Sequence, residues 1–314
     1  MYKSGNKRMF RITALSCLLL VCLSMMGCAT QQSKLEDGLY LAKWEGYTGI
    51  TTDEKAIAYI PIMGVGTEEK YQYPQWYTSE AFSVTMDGKV VSENVSLFWP
   101  ITLGRTYGDN NEYHFTYLRL TLKDLTEGVH EVTSIQVPGA KNKFVFPLHW
   151  VIEVRKPSQA QSCFDNPPHS SPLFFDNTLM IALENTCSTE VIVDGVSPTE
   201  NLEAKMYLLG GEEDYTKSTT TTATENRIGP YDQVPIAPKS LETVMVTLSP
   251  TASDKELAPF FQFNPLVLYR TVDNTDQRYT TFTEPNQPTW FPKDAEEFKA
   301  TVLTSALKGT EVEY

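Results

Sequence analysis

The chain has 314 residues, 41% of them hydrophobic, and carries 39 acidic against 26 basic side chains, a formal net charge of −13. A surface that acidic is repelled by phosphate backbones and anionic headgroups, which argues against nucleic acid as a partner. The length is enough for two domains of ordinary size.

The first residues bear on the compartment. Lys3, Lys7, Arg8 and Arg11 form a basic segment with no acid before the apolar run Ile12 to Leu23. About a dozen apolar residues are too few to span a bilayer, which needs about twenty, and they fit the core of a signal peptide instead. Met25-Met26-Gly27-Cys28 follows. A small residue directly before a Cys, just past such a run, resembles the lipobox of bacterial lipoproteins, although Leu is usual where Met25 stands. The resemblance implies cleavage before Cys28, acylation of Cys28, and a chain held to a membrane by its lipid. Ala29, where an inner-membrane lipoprotein typically has Asp, implies the outer membrane, with the folded part facing the periplasm or the surface. Residues 1–27 hold four basic residues and no acid, so the mature chain has 22 basic against 39 acidic side chains, a charge of −17. Three cysteines then remain: Cys28, Cys163 and Cys187. With Cys28 acylated, Cys163 and Cys187 form an even pair in an oxidising compartment, which favours one disulfide. Closing that loop is worth roughly 3.5 kcal/mol in the chain-entropy model.

Tyr71-Gln72-Tyr73-Pro74-Gln75-Trp76-Tyr77 is the most unusual stretch. Its aromatics Tyr71, Tyr73, Trp76 and Tyr77 suit stacking on sugar rings or anchoring a protein interface. A loop that tucks its rings against its own domain explains them as well. Beyond it, period-2 patterns dominate. Phe82 to Met86 alternates as a half-buried strand, Asp87-Gly88 suits a type I′ turn, and Lys89 to Val91 resumes. Leu118 to Leu122 and Lys143 to Val154 read as further strands. Leu125 to His130 resembles a turn common in bacterial immunoglobulin-like domains, which implies that His130 is a corner residue bonded to backbone. Lys156 to Pro172, rich in Pro, Ser, Gln and Asn, reads as a linker.

A second β pattern follows. Leu179, Ile181 and Leu183 alternate, Asn185 to Ser188 turns the chain, and Val191 to Val193 returns. Ile236 to Ser240, ahead of the alternating Val244, Val246 and Leu248, resembles a strand lead-in of immunoglobulin-like domains. Pro259 to Tyr269 is apolar, with Pro265 interrupting it as a central strand. Lys217 to Thr224 is a Ser/Thr tract expected in an exposed loop. Pro292 to Lys308 reads as a helix, with Asp294, Glu296 and Glu297 at its positive end. Its face of Phe298, Val302, Leu303 and Ala306 is expected to dock on the second domain.

The chemistry-bearing residues form no catalytic or metal-binding signature. His114, His130, His149 and His169 make no His-x-x-x-His pair, and there is no Cys-x-x-Cys. Asp109 to Glu112 and Asp273 to Asp276 cluster oxygen ligands but follow no EF-hand loop, and such residues also build plain turns. Ser305-Ala306-Leu307-Lys308 matches a Ser-x-x-Lys pattern without the fold that chemistry needs. A pair of carboxylates defined only in space stays open. No catalytic residue, metal or cofactor is therefore assigned.

The expected fold class is all-β: two immunoglobulin-like β-sandwich domains in tandem plus a C-terminal α-helix. The boundaries are 1–27 signal peptide, 28–35 lipid tether, 36–156 first sandwich, 157–172 linker, 173–290 second sandwich and 291–309 helix. The expected function is that of a cell-envelope lipoprotein acting as a non-catalytic scaffold or binding module for an envelope protein or glycan. The alternative is a carbohydrate-active protein that binds or cleaves glycans.

Overall fold

The structure, a computed structural model, describes residues 35–66, 82–98, 104–108, 110, 112–138, 142–157, 162–164, 178–197, 202–209, 227–251, 257–281 and 291–313. In chain order the strands begin with β1 (Gly38–Ala42), β2 (Trp44–Thr51), β3 (Ala56–Val65), β4 (Ser83–Met86) and β5 (Lys89–Val91). Next come β6 (Val95–Phe98), β7 (Arg105–Tyr107), β8 (Tyr113–Leu122), β9 (Gly128–Pro138) and β10 (Asn142–Arg155). The second half supplies β11 (Thr178–Glu184), β12 (Val191–Val196), β13 (Leu202–Leu209), β14 (Arg227–Tyr231) and β15 (Val234–Ile236). It continues with β16 (Leu241–Pro250), β17 (Phe260–Asn264), β18 (Val267–Thr271) and β19 (Asn274–Thr280). A short helix α1 (Ala295–Thr301) precedes β20 (Ala306–Lys308) and β21 (Thr310–Glu313).

These strands make two sandwiches. The first pairs a sheet of order β20-β1-β3-β8-β6, with β7 also on β8, against one of order β17-β2-β10-β9-β4-β5, with β21 also on β10. The second pairs β11-β16-β13-β14 against β15-β12-β18-β19. Within it, β11, β16 and β13 lie side by side in one sheet and β12, β18 and β19 in the other. That interleaving of early and late strands is the Greek-key order of immunoglobulin domains. The described residues are thus all-β, with two immunoglobulin-like sandwiches and one short α-helix near the C-terminal end.

Alternation in the sequence maps onto these layers. Leu179, Ile181 and Leu183 of β11 are buried in the second core with Val244, Val246 and Leu248 of β16. The Asp87-Gly88 turn joins β4 to β5 with φ of 51° and 75°, the left-handed region that a type I′ turn requires. Every residue of β3 is buried. Its run Ala-Ile-Ala-Tyr-Ile-Pro-Ile-Met is continuous rather than alternating because both faces of its sheet are covered. On one face of the neighbouring β8, Tyr113 and Phe115 meet Phe298, and Phe115 and Tyr117 meet Phe291.

The C-terminal segment departs from expectation. The α-helix spans only Ala295–Thr301, capped by the Asp294 carboxylate, which accepts from the Glu296 and Glu297 amides. A 3-10 turn at Leu303–Ser305 follows, and Ala306–Lys308 is a strand paired antiparallel with β1. Thr301, Thr304 and Ser305 each donate a hydroxyl hydrogen bond to a carbonyl four residues back, which weakens a helix here. The Ser305 carbonyl instead accepts the Lys43 amide, and β-pairing takes over. The segment docks on the first sandwich, not the second: Phe298 stacks on Tyr107 with ring centroids 4.3 Å apart, and Tyr107 Oη donates to the Pro292 carbonyl.

Candidate functional site

Residues from both sandwiches meet where β17 and β2 turn one face to each core. β17 lies in sequence among the strands of the second sandwich, yet it runs parallel to β2 in a sheet of the first, pairing Phe260–Asn264 with Trp44–Thr48. Phe260 reaches Phe115 in the first sandwich. Gln262, fully buried, donates through Nε2 to the Ile57 carbonyl and accepts through Oε1 from the Tyr59 amide, both at 2.8 Å. Its carboxamide stands in for a strand backbone along part of β3. Phe261 and Phe263 point the other way, into the second core, where Tyr47 of β2 joins them.

Tyr47 begins a polar chain across this joint. Its hydroxyl donates to the Glu153 carboxylate, and with that proton committed it accepts from the Ser197 hydroxyl at 2.8 Å. Ser197 Oγ in turn accepts the Leu266 amide at 2.9 Å, while the Ser197 amide donates to the Leu266 carbonyl at 2.7 Å. Glu153 is held on its other side by Arg155 at 2.7 Å from Nε, and the Arg155 guanidinium lies 5.3 Å from the centre of the Tyr279 ring. Burial, then the adjacent Glu153, pushes the Tyr47 phenol well above its usual range, so it stays protonated. Beside it, β2 has no side chain at Gly49. A Cβ there would sit 2.6 Å from Leu266 Cγ and 2.7 Å from its amide nitrogen, so glycine is what allows the second sandwich to approach this closely. Thr281 Oγ1 adds a 2.6 Å bond to Glu54 of the β2–β3 turn. These bonds tie β2, β10 and the β2–β3 turn to the segments around Ser197, Leu266 and Thr281, while the buried Asn264 carboxamide of β17 makes no side-chain hydrogen bond.

Cys163 and Cys187 are joined, with Cα atoms 5.0 Å apart. The bond fastens a buried node. The Cys163 carbonyl accepts the Thr186 amide at 2.8 Å, and Phe164 packs edge-on against Tyr269 at 4.8 Å. Asn185, fully buried, donates to the Thr189, Ile236 and Ala237 carbonyls and accepts the Cys187 amide. Cys163 and Phe164, expected in a linker, therefore belong to the second core. His130 bonds to backbone as expected, at 2.8 Å from the Thr126 carbonyl, and also contacts Asp87. Cys28 and the aromatics Tyr71, Tyr73, Trp76 and Tyr77 lie outside the described residues. The joint of Tyr47, Glu153, Arg155, Ser197 and Gln262 has no sequence signature, since its members are scattered and polar. The one available signal was the largely apolar stretch from Pro259 to Tyr269, in which Gln262 stands.

No protein-family model matches the chain, and no curated protein matches it by sequence. Among solved structures, the titin fragment I67–I69 in an E-to-A mutated variant aligns over 78% of this chain and 64% of its own, at 10% identity and a TM-score of 0.20. The titin tandem A164–A165 aligns over 80% and 98%, at 10% identity and 0.18. A β-glucuronidase 3 of Bacteroides uniformis aligns over 81% of this chain and 25% of its own, at 9% identity and 0.17. Likeness this slight supports no argument about function, and the fold rests on the order of the strands themselves.

Proposed function

We propose that this chain is a cell-envelope lipoprotein, held by lipid on Cys28 to the outer membrane, that serves as a non-catalytic scaffold presenting two sandwiches in one fixed orientation. The carrying observation is the joint. β17 belongs by hydrogen bonding to one sandwich and by Phe261 and Phe263 to the core of the other. Two modules that share a strand cannot swing apart without breaking a sheet, and a fixed orientation is what a scaffold supplies. The basic segment, short apolar run and Gly27-Cys28 support the anchor. The stretch from Tyr71 to Tyr77 is the proposed contact with an envelope partner, a protein or a glycan.

Cys28→Ser should release the protein from membranes or leave it as unprocessed precursor, without acyl label. Normal membrane fractionation of that variant would refute the anchor. Crosslinking and pull-down from native envelopes, run in parallel with Trp76→Ala, tests the contact. Capture should weaken by about 1–3 kcal/mol, as truncated hot spots do, while the melting curve stays in place.

A further inference from the structure

One imidazole joins two turns of the first sandwich. His130 Nδ1 lies 2.7 Å from Asp87 Oδ2 in the β4–β5 turn, and Nε2 lies 2.8 Å from the Thr126 carbonyl oxygen in the β8–β9 turn. Asp87 is fixed from a second direction, because its Oδ1 accepts the Glu131 amide at 2.9 Å and its own amide donates to the Glu131 carbonyl at 2.9 Å. Both ring nitrogens thus face oxygens that only accept. A neutral imidazole has one N–H and one lone pair, so it can satisfy only one of them. The doubly protonated ring satisfies both. The His130 side chain is 13% exposed and the Asp87 side chain 46%.

The charges around it are few. Lys89 acts on Asp87 from β5. Glu131 on the same strand lies 3.6 Å from His149 of β10, and Glu127 of the β8–β9 turn pairs with Lys156 at 3.0 Å. Asp87 is therefore the carboxylate in contact with the ring.

We propose that His130 is a protonation-gated tie: the imidazolium holds the β4–β5 and β8–β9 turns together, and loss of its proton frees the Thr126 carbonyl and loosens the second turn. The remaining proton stays on Nδ1 toward the carboxylate, so the Asp87 side of the tie outlasts the Thr126 side. Leu125, buried in the same turn, limits the change to the turn itself. The electrostatics agree. Burial works against the charged ring, but the Asp87 hydrogen bond, the Thr126 carbonyl and the Asp87 charge outweigh it and raise the His130 pKa. Burial likewise opposes ionised Asp87, and the bonds from His130 and the Glu131 amide outweigh it and lower the Asp87 pKa. A raised imidazole stabilises fully below the unfolded value of about 6.5 and fades as pH rises through the folded value. A lowered carboxylate stabilises fully above about 3.9 and fades as pH falls through the folded value. The tie is complete between those limits.

The test follows the Cε1–H resonance of His130 by NMR in the full chain in detergent, together with hydrogen-exchange protection of the Gly128 and Glu131 amides. The midpoint should lie above that of the same residue in the urea-unfolded chain. Protection at Gly128 should fall about threefold to tenfold through it, as loss of one net hydrogen bond gives. Asp87→Asn should lower the midpoint, and His130→Gln should abolish the pH dependence of protection. If His130→Gln does not fold, the midpoint shift of Asp87→Asn decides. A His130 midpoint at or below the unfolded value, or protection that ignores the titration, overturns the proposal.

Discussion

Leu183→Ala probes whether the two sandwiches unfold as one. Leu183 is 0% exposed and sits in the second core. The change removes three carbons, about 2.4 kcal/mol of transfer energy, and the cavity term raises the expected cost to roughly 3–4 kcal/mol. A cooperative unit of this size loses roughly 2 °C per kcal/mol, so the melting midpoint should drop by about 6–8 °C. The reporter is built into the sequence. The five tryptophans are Trp44, Trp76, Trp99, Trp150 and Trp290, and none lies between Cys163 and Thr281. Trp44 and Trp150 meet edge to face in the first core, with Trp150 Nε1 donating to Thr48. With Trp76, Trp99 and Trp290 replaced by Phe, the fluorescence of Trp44 and Trp150 senses the first sandwich, while the mutation strikes the second. Asp37–Tyr314 forms one compact unit, and the shared strand β17 should carry the loss across, so fluorescence and far-UV circular dichroism should shift together. An unmoved fluorescence transition beside a split dichroism curve would show that the sandwiches melt independently and that β17 does not couple them.

Tyr47→Phe keeps the ring against Phe263 but removes the hydroxyl that binds Glu153 and Ser197. It should cost about 1.5–3 kcal/mol, the range for bonds to a charged group, and a urea midpoint unchanged at constant slope would mean the hydroxyl is idle. Replacing Cys163 and Cys187 together by Ser should cost roughly 3.5 kcal/mol, and reducing the native protein should reproduce that loss. Thiol labelling of the denatured, unreduced chain should find neither cysteine free.

Much of the fold was legible because most strands bury one face. Phe82 to Met86 and Leu118 to Leu122 alternate, and Asp87-Gly88 declares its turn. The disulfide followed from counting cysteines. The joint was not legible, for a physical reason. β17 is buried on both faces, so Phe260-Phe261-Gln262-Phe263 shows no alternation that would assign it to a sheet. Gln262 reads as a surface residue until its amide is seen paired to the backbone of β3. Parallel pairing of β2 with β10 and with β17 joins segments more than a hundred residues apart, and no local pattern announces such a contact. The C-terminal helix was overextended because Asp294, Glu296 and Glu297 signal a start, while its stop depends on β1 offering an edge to Ala306–Lys308.

That edge-and-strand logic bears on how the proposed scaffold would work. A flexible linker between two sandwiches would let each bind alone, and a partner touching both would have to order them, losing part of its affinity. Here the orientation is set before any partner arrives. β17 is hydrogen-bonded to β2, Leu266 rests on Gly49, and Ser197, Tyr47, Glu153 and Arg155 are linked in one chain of hydrogen bonds. Breaking the joint would expose Phe261, Phe263 and Tyr47 and part the Ser197 hydroxyl from Tyr47, so the penalty for swinging open is both apolar and polar. The second core is completed by Tyr47 and Val151 of the first sandwich, so the packing that fills that core also fixes the position of the second sandwich.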